Sequence, residues 1–456
     1  MTARLVLERF LVSFDNAPHL PRTMTESELA PEQAALAQEA SANTPAAVSR
    51  ARPAKPSAVK PTATSTAPVP THESLDREEA WQTLEALRLG VVPARGVREY
   101  TVARDMELAS VDQMLRDGQG CRVVWGDYGA GKTHLLEAAE QLALERNYAV
   151  ARVTLDPTEH GLQHPLRLYR AIAERVRSLQ HAQPGIEHIL DRLVDSSAHN
   201  SVDGASFSRF LSPYTFMARH GEALLTEKFT GYVRGEGVPI EVLNQCLTIL
   251  GWRGPRLLAM PDYRTYGRMY VHIIGTLAAW CKDAGLAGLA LFFDEFERVD
   301  ALPSQERLLA LEVFRHYAAV LMTPTDLVFD PESLYRGGHD VHRALPLRFK
   351  RDLPLVGMFA LTPLGDIEAS YRKTTLSNQY DLRLAPLARR DVLTLVPRIA
   401  SLYQRAYPDY ELAPDTLARV RELVERALSG GDDSFRAAVR AIVFSLDAAR
   451  LGRLSR

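Results

Sequence analysis

Two short stretches hold residue types whose spacing suits phosphate chemistry. The first, CRVVWGDYGAGKTHLL, runs from Cys121 to Leu136. Within it Gly126, Asp127, Tyr128, Gly129, Ala130, Gly131, Lys132 and Thr133 fit the pattern G-x-x-x-x-G-K-[ST], and His134 follows. Successive backbone N–H groups in such a loop converge on an anion, and glycines keep side chains out of the way. A helix beginning where the loop ends adds free N–H groups and the positive end of its dipole. Lys132 is then expected to reach the β- and γ-phosphates of a nucleotide, and the Thr133 hydroxyl to hold Mg2+. A glycine-rich turn with an incidental Lys-Thr leaves unexplained why apolar run, loop and apolar-periodic helix fall in register.

The second stretch is GLALFFDEFE, Gly288 to Glu297. A continuous apolar run suits a strand buried on both faces of a parallel sheet. Acidic residues at its C-terminal end stand where such sheets bind ligands. Asp294 is expected to hold Mg2+ through a water, and Glu295 to polarise a water in line with the γ-phosphate. Read alone, this is also the pattern of a buried strand ending in an acidic surface turn. The phosphate-loop pattern upstream favours the catalytic reading.

The elements that must position these residues follow from periodicity. Apolar run, loop, helix (Thr133 to Arg146) and β-rich run (Tyr148 to Leu155) begin a parallel α/β sheet. Helical spacing covers 74–90 and 105–117, and Arg98 to Val102 reads as extended. Val102 and Arg104, just upstream of the loop, are candidates for contacting base and ribose. Residues 164–283 break the alternation as a helical insertion: Pro165 to Gln180, Gly185 to Val194, Phe216 to Phe229, Ile240 to Leu250 and Tyr263 to Ala284. A helix over 304–322 and a strand from Leu353 to Leu361 follow. That strand ends at Thr362, placed to orient the lytic water or to cap a turn. Asp381 to Leu387 is a last extended piece. Helices then run from Arg389 to Tyr407, Pro414 to Ala427 and Ser434 to Leu451. Arg436 opens the final helix, where it reaches back to phosphates or lies exposed beside Arg440.

Composition bounds the rest. The 456 residues give room for two or three domains, and a formal net charge of −2 excludes a global attraction to nucleic acid. Three separated cysteines show no metal-ligand spacing and no disulfide framework. The Ala/Pro/Ser/Thr-rich stretch 41–72 reads as an extended linker, so 1–72 is taken as a disordered N-terminal extension. The core is expected over 73–387 and a small all-helical domain over 388–456. The opening residues lack a signal peptide, and no run is apolar enough to span a bilayer, which predicts a cytoplasmic protein without membrane contact. His339 and His342 read as solvated loop histidines. The basic run Arg343, Arg348, Lys350, Arg351 reads as a solvated face, a DNA-phosphate contact or the source of an arginine acting across a subunit interface.

This order of phosphate loop, acidic strand end, polar strand end and arginine-opened helical domain is similar to that of the AAA+ and STAND-type ATPases over about residues 95–456. More narrowly, GVVPARGVREYTVARDMEL, VVWGDYGAGKTHLLE and GLALFFDEFERV resemble the ATP-binding proteins of BREX phage-defence loci, the BrxD type. Ala103 stands where that pattern has glycine, and Thr133 where serine is common. The resemblance implies a P-loop NTPase core of AAA+ type, with ATP and Mg2+ as ligands. It implies Lys132 and Thr133 as phosphate and Mg2+ contacts and Asp294 with Glu295 as the hydrolytic pair. Thr362 becomes a sensor, and Arg436 a second sensor although Ser434-Phe435 replaces the usual lead-in. It also implies partners: other defence proteins, a helicase among them, DNA, or further copies of this chain. Two other readings stay open, a nucleotide-gated scaffold without turnover and an ATP-dependent DNA loader.

Overall fold

The computed structural model describes residues 76–93, 96–181, 183–337, 340–375, 377–428 and 435–453. The N-terminal extension, His339 and Ser434 lie outside them. Five strands form one parallel sheet: β1 (Gly120–Trp125), β2 (Ala149–Thr154), β3 (Leu289–Asp294), β4 (Leu355–Leu361) and β5 (Asp381–Arg383). Their order is β2-β3-β4-β1-β5. The chain leaves β1, crosses two strand positions to β2, then works back, and β5 adds to the other side of β1. A parallel sheet of this kind binds ligands beyond the strand C-termini where the winding reverses, which here is the end of β1. Register brings the ends level: Trp125 pairs with Leu361 and Thr154 with Asp294. Every residue of β3 and β4 is buried, as the uninterrupted apolar runs require.

Alternate side chains of the strands serve two cores. One face (Val124, Phe292, Met358, Ala360) packs on α2 (Asp105–Asp117) and α3 (Lys132–Glu145). The other (Val123, Leu291, Phe293, Phe359) packs on the insertion and on α9 (Ser304–Leu321). The main helices of the insertion are α4 (Pro165–Arg175), α5 (Ser212–His220), α6 (Ala223–Val233), α7 (Ile240–Ile249) and α8 (Gly267–Asp283), and the long connection from α4 to α5 carries two short helices, Glu187–Asp191 and Ser197–Asn200. It shares one continuous core with the sheet. At the β2 edge, Val150 and Arg177 exchange backbone hydrogen bonds of 2.8 and 2.9 Å, and His160 donates to the Thr154 carbonyl at 2.8 Å.

A third core is wholly helical. It joins α1 (Arg77–Leu89) to α10 (Leu395–Ala406), α11 (Pro414–Leu428) and α12 (Phe435–Arg450) through Leu84, Leu87, Leu395, Ile399, Val420 and Ile442. The Asp76 side chain caps α1 by accepting from the Glu79 N–H at 2.8 Å, and Gly90 ends it at φ 70°. Arg88 clamps α1 to the C-terminal helices: it donates to Asp447 at 2.7 and 2.8 Å and to the Tyr407 hydroxyl at 3.0 Å.

Several expected elements differ. Val97–Tyr100 is a 3-10 turn rather than extended, entered through Gly96 at φ 71° and closed by the Thr101 hydroxyl donating to the Val97 carbonyl at 2.8 Å. The helix expected over 216–229 is two, α5 and α6, parted at Gly221. The helix expected over 389–407 breaks at Thr394: Pro397 has no N–H to give to the preceding turn and instead sits in the first turn of a new helix, α10. His342 is buried, not solvated, with Nε2 donating to the Ala259 carbonyl at 3.3 Å and its ring edge-on to Tyr266. Among the described residues no helix is long and apolar enough to cross a membrane, and no group of three or more His, Cys, Asp or Glu is arranged for a metal.

Candidate functional site

Beyond the end of β1 lies a cleft whose floor is made of strand ends and whose far wall is made of helix ends. The Gly126–Thr133 loop wraps the floor. Gly126 donates its N–H to the Leu361 carbonyl of β4 at 3.2 Å, and the Leu384 N–H returns to the Trp125 carbonyl at 2.7 Å. A Cβ on Gly126 would stand 3.0 Å from Ala130 Cβ and 3.3 Å from Leu384 Cβ, a crowding that glycine avoids. Gly131, at φ 91°, turns the chain into α3 with no side-chain cap, which leaves that helix's first N–H groups facing the cleft. Arg104 braces the loop from behind. Its buried guanidinium donates to the Ala130 and Ala385 carbonyls, each at 3.0 Å.

Three strand ends meet at Lys132 and Thr133. The Lys132 ammonium donates to the Gly126 carbonyl at 2.9 Å, to the Asp127 carbonyl at 3.3 Å and to the Thr362 hydroxyl at 2.8 Å. The Thr133 hydroxyl donates to Asp294 Oδ2 at 2.8 Å. Burial raises the Asp294 carboxyl above the usual range, partly offset by the Thr133 hydrogen bond and by the Glu295 N–H, which donates to Oδ1 at 2.9 Å. The hydroxyl and carboxylate make an all-oxygen pair suited to a hard cation such as Mg2+. Together with the Gly126 cradle, this pair fits a Mg2+–nucleotide.

Glu295 takes φ 60°, a left-handed backbone that costs a non-glycine residue about 1 kcal/mol or more. Its carboxylate is turned to Arg298, whose Nε donates at 2.6 Å, and Arg298 in turn donates to Asp156 beyond β2 at 3.0 Å. Glu297, two residues on, also lines the cleft and accepts from the Thr362 hydroxyl. Position along the chain could have marked Glu297 only as one more acid after a strand.

The far wall is apolar: Leu87, Val91, Val92, Tyr100, Phe435 and Val439. Arg436 lines the mouth from the first turn of α12. Its stem and that of Arg440 cross the end of α1, for a Cβ on Gly90 would lie 2.9 Å from Arg436 Cγ and 3.1 Å from Arg440 Cδ. His134 joins floor and wall. It is buried between Tyr100 and Phe435, with ring centroids 5.1 and 5.0 Å away, and Nε2 lies 2.8 Å from the Thr101 hydroxyl. Burial pushes this imidazole down to about 3, so it is neutral at pH 7. On α3 the fully buried Glu137 pairs with the partly exposed Arg152, and desolvation pushes its carboxyl up to about 7.

Some candidates lie elsewhere. Val102 is packed in the helical core and Arg104 lies behind the loop; neither lines the cleft, whose apolar wall includes Val91 and Val92. In the basic run, Arg343 donates to the Gly337 carbonyl at 2.8 Å and Arg348 to the Ala319 carbonyl at 2.9 Å. Lys350 donates to the Ser206 hydroxyl at 3.2 Å, and Arg351 is exposed. Three of the four are held by local structure rather than presented as a free basic face. Tyr128, at the loop tip, is also exposed.

With this geometry in place, the comparison with protein families is informative. Residues 75–217 match the family described as BREX system ATP-binding protein BrxC/D. The matched stretch contains α1, the phosphate loop, α3 and β2 and stops before Asp294, Glu295, Thr362 and Arg436. No curated protein matches the chain. Within the matched stretch Ala103 holds φ 50°, a left-handed position that a glycine adopts freely.

Proposed function

We propose that this chain is a Mg2+-dependent ATPase of AAA+-like architecture acting in a BREX-like defence system. The observation that carries the reading is the convergence of Lys132 on Thr362 and of Thr133 on Asp294, which draws the ends of β1, β3 and β4 to one point. ATP phosphates lie in the Gly126–Thr133 loop, with the adenine side toward Val91 and Val92. Thr133 and Asp294 hold Mg2+, which neutralises charge on the phosphates. Lys132 exchanges its carbonyl contacts for phosphate oxygens. Glu295 accepts a proton from the attacking water once its carboxylate leaves Arg298, and Arg436 answers the phosphates from the wall. Because floor and wall both border the cleft, turnover shifts the C-terminal helices against the sheet and passes work to a partner protein or DNA. The core spans 73–387, with its insertion over 164–283, and the helical unit spans 388–456.

A second reading, a nucleotide-gated switch without turnover, is favoured by one contact, the Glu295–Arg298 pair that occupies the water-polarising carboxylate. The test is steady-state ATP turnover of the wild type beside Glu295→Gln and Lys132→Ala, with and without double-stranded DNA. The ATPase reading expects turnover in the wild type and an ATP-binding Glu295→Gln slowed at least about 100-fold. Stimulation by DNA would support the loader variant. ATP binding with no turnover in any condition replaces the ATPase by the switch.

A further inference from the structure

The polar chain across the cleft floor runs from Lys132 through Thr362 to Glu297, and its hydrogen-bond directions are fixed by chemistry. An ammonium only donates and a carboxylate only accepts. Thr362 therefore accepts from Lys132 at 2.8 Å and gives its one proton to Glu297 Oε1. A hydroxyl committed in this way cannot donate to a phosphate oxygen. When Lys132 moves to phosphate, the lone pair it leaves on Thr362 Oγ1 becomes a free acceptor beside the cleft-lining Lys132 and Glu297. A water that donates there points its own lone pair away from Thr362, as attack on phosphorus requires.

We propose that Glu297 is a positioning residue, which through Thr362 makes that hydroxyl an acceptor for the attacking water instead of a donor to the γ-phosphate. This rests on the ATPase reading above. Three observations support it. Glu297 lines the same cleft as Lys132 and Thr133. Its second oxygen, Oε2, is buried and has no hydrogen-bond partner among the described residues, so the carboxylate is not explained by a surface role. The turn that carries it is locked: the neighbouring Phe296 is 1% exposed and packs edge-on against Phe314 and Phe359, with centroids 4.8 and 5.9 Å away. Glu295, by contrast, pairs at the surface with Arg298 through a side chain 42% exposed, a contact it can exchange for water while Glu297 holds its place.

The experiment is a double-mutant cycle of Glu297→Gln and Thr362→Val, with Thr362→Ser beside it. It reads ATP turnover, ADP affinity and retention of ADP–aluminium fluoride with Mg2+. The expected result is that Glu297→Gln lowers kcat about tenfold and weakens aluminium fluoride retention, with ADP affinity within about twofold. The double variant should be no slower than Thr362→Val alone, because one acts through the other. Thr362→Ser, which keeps the hydroxyl, should recover at least about tenfold of the turnover that Thr362→Val loses. Wild-type kcat in Glu297→Gln overturns the proposal. So do losses that multiply in the double variant, or a Thr362→Ser as slow as Thr362→Val. A wild type that neither hydrolyses ATP nor retains ADP–aluminium fluoride removes the ATPase reading itself, and the proposal with it.

Discussion

The floor of the cleft is a set of strand ends and its far wall a set of helix ends, and the two hold their side chains by different means. On the floor, Asp294 and Thr362 stand at the ends of strands tied by backbone ladders, and Lys132 and Thr133, in the first turn of α3, are hydrogen-bonded to them, so sheet register sets where the four meet. Across from them, Val91, Phe435 and Arg436 are placed by helix packing and by the Arg88–Asp447 clamp between helices at opposite ends of the chain. A ladder fixes position to fractions of an ångström, while packed helices slide and tilt at smaller cost. On the proposed ATPase reading the two sides divide the labour: the floor does the chemistry and the wall reports it.

Changes on each side should therefore read out differently. Lys132→Ala should have the largest effect. Losing charge-assisted contacts to two phosphates weakens ATP binding about 100-fold, read by equilibrium titration, with little change in thermal stability. Arg88→Ala should do the reverse: the clamp is largely buried, and its loss lowers unfolding free energy by about 2 kcal/mol, read from urea midpoints. If Arg88→Ala damages binding as severely as Lys132→Ala, the division fails.

The seam between the two sides should show in pH. His134 is held near 3 in the fold against an ordinary value near 6.5, so below pH 6.5 the unfolded chain takes up a proton that the folded chain does not. Stability attached to this residue is complete above pH 6.5 and drains as pH falls toward 3. Between pH 7 and pH 5 the wild type should lose about 2 kcal/mol more than His134→Gln in paired urea titrations. His164 and His272, also pushed down by burial, are present in both proteins and cancel. The smallest effect expected is a gain: Ala103→Gly relieves a left-handed alanine and should stabilise by about 1 kcal/mol, less the entropy glycine adds to the unfolded chain.

What the sequence made legible follows from the range of the interactions involved. The phosphate loop, β3 and β4 are written in consecutive residues, and they form where the pattern puts them. Thr362 was readable as a strand end, but its partner Glu297 was not, since nothing local distinguishes the third acid of DEFE from a surface residue. Joining α1 to α12 depends on Arg88 meeting Asp447, a contact between positions 359 residues apart, and periodicity carries no such information. Arg104, which precedes the loop, is equally a candidate for base contact or for packing by its sequence position, and its side chain turns back to the Ala130 and Ala385 carbonyls. The breaks at Gly221 and Thr394 were spelled by Gly221 and Pro397.

One small feature governs how this molecule can assemble. A sheet edge with open N–H and C=O groups recruits another strand, and such an edge is an aggregation hazard. At β2 the outward groups of Val150 are taken by Arg177 and the outward carbonyl of Thr154 by His160, while the opposite edge, β5, is three residues long. Growth by strand addition is thus discouraged at both margins. Copies or partners must then meet this chain through side chains and helices, the surfaces that can move when the cleft fills.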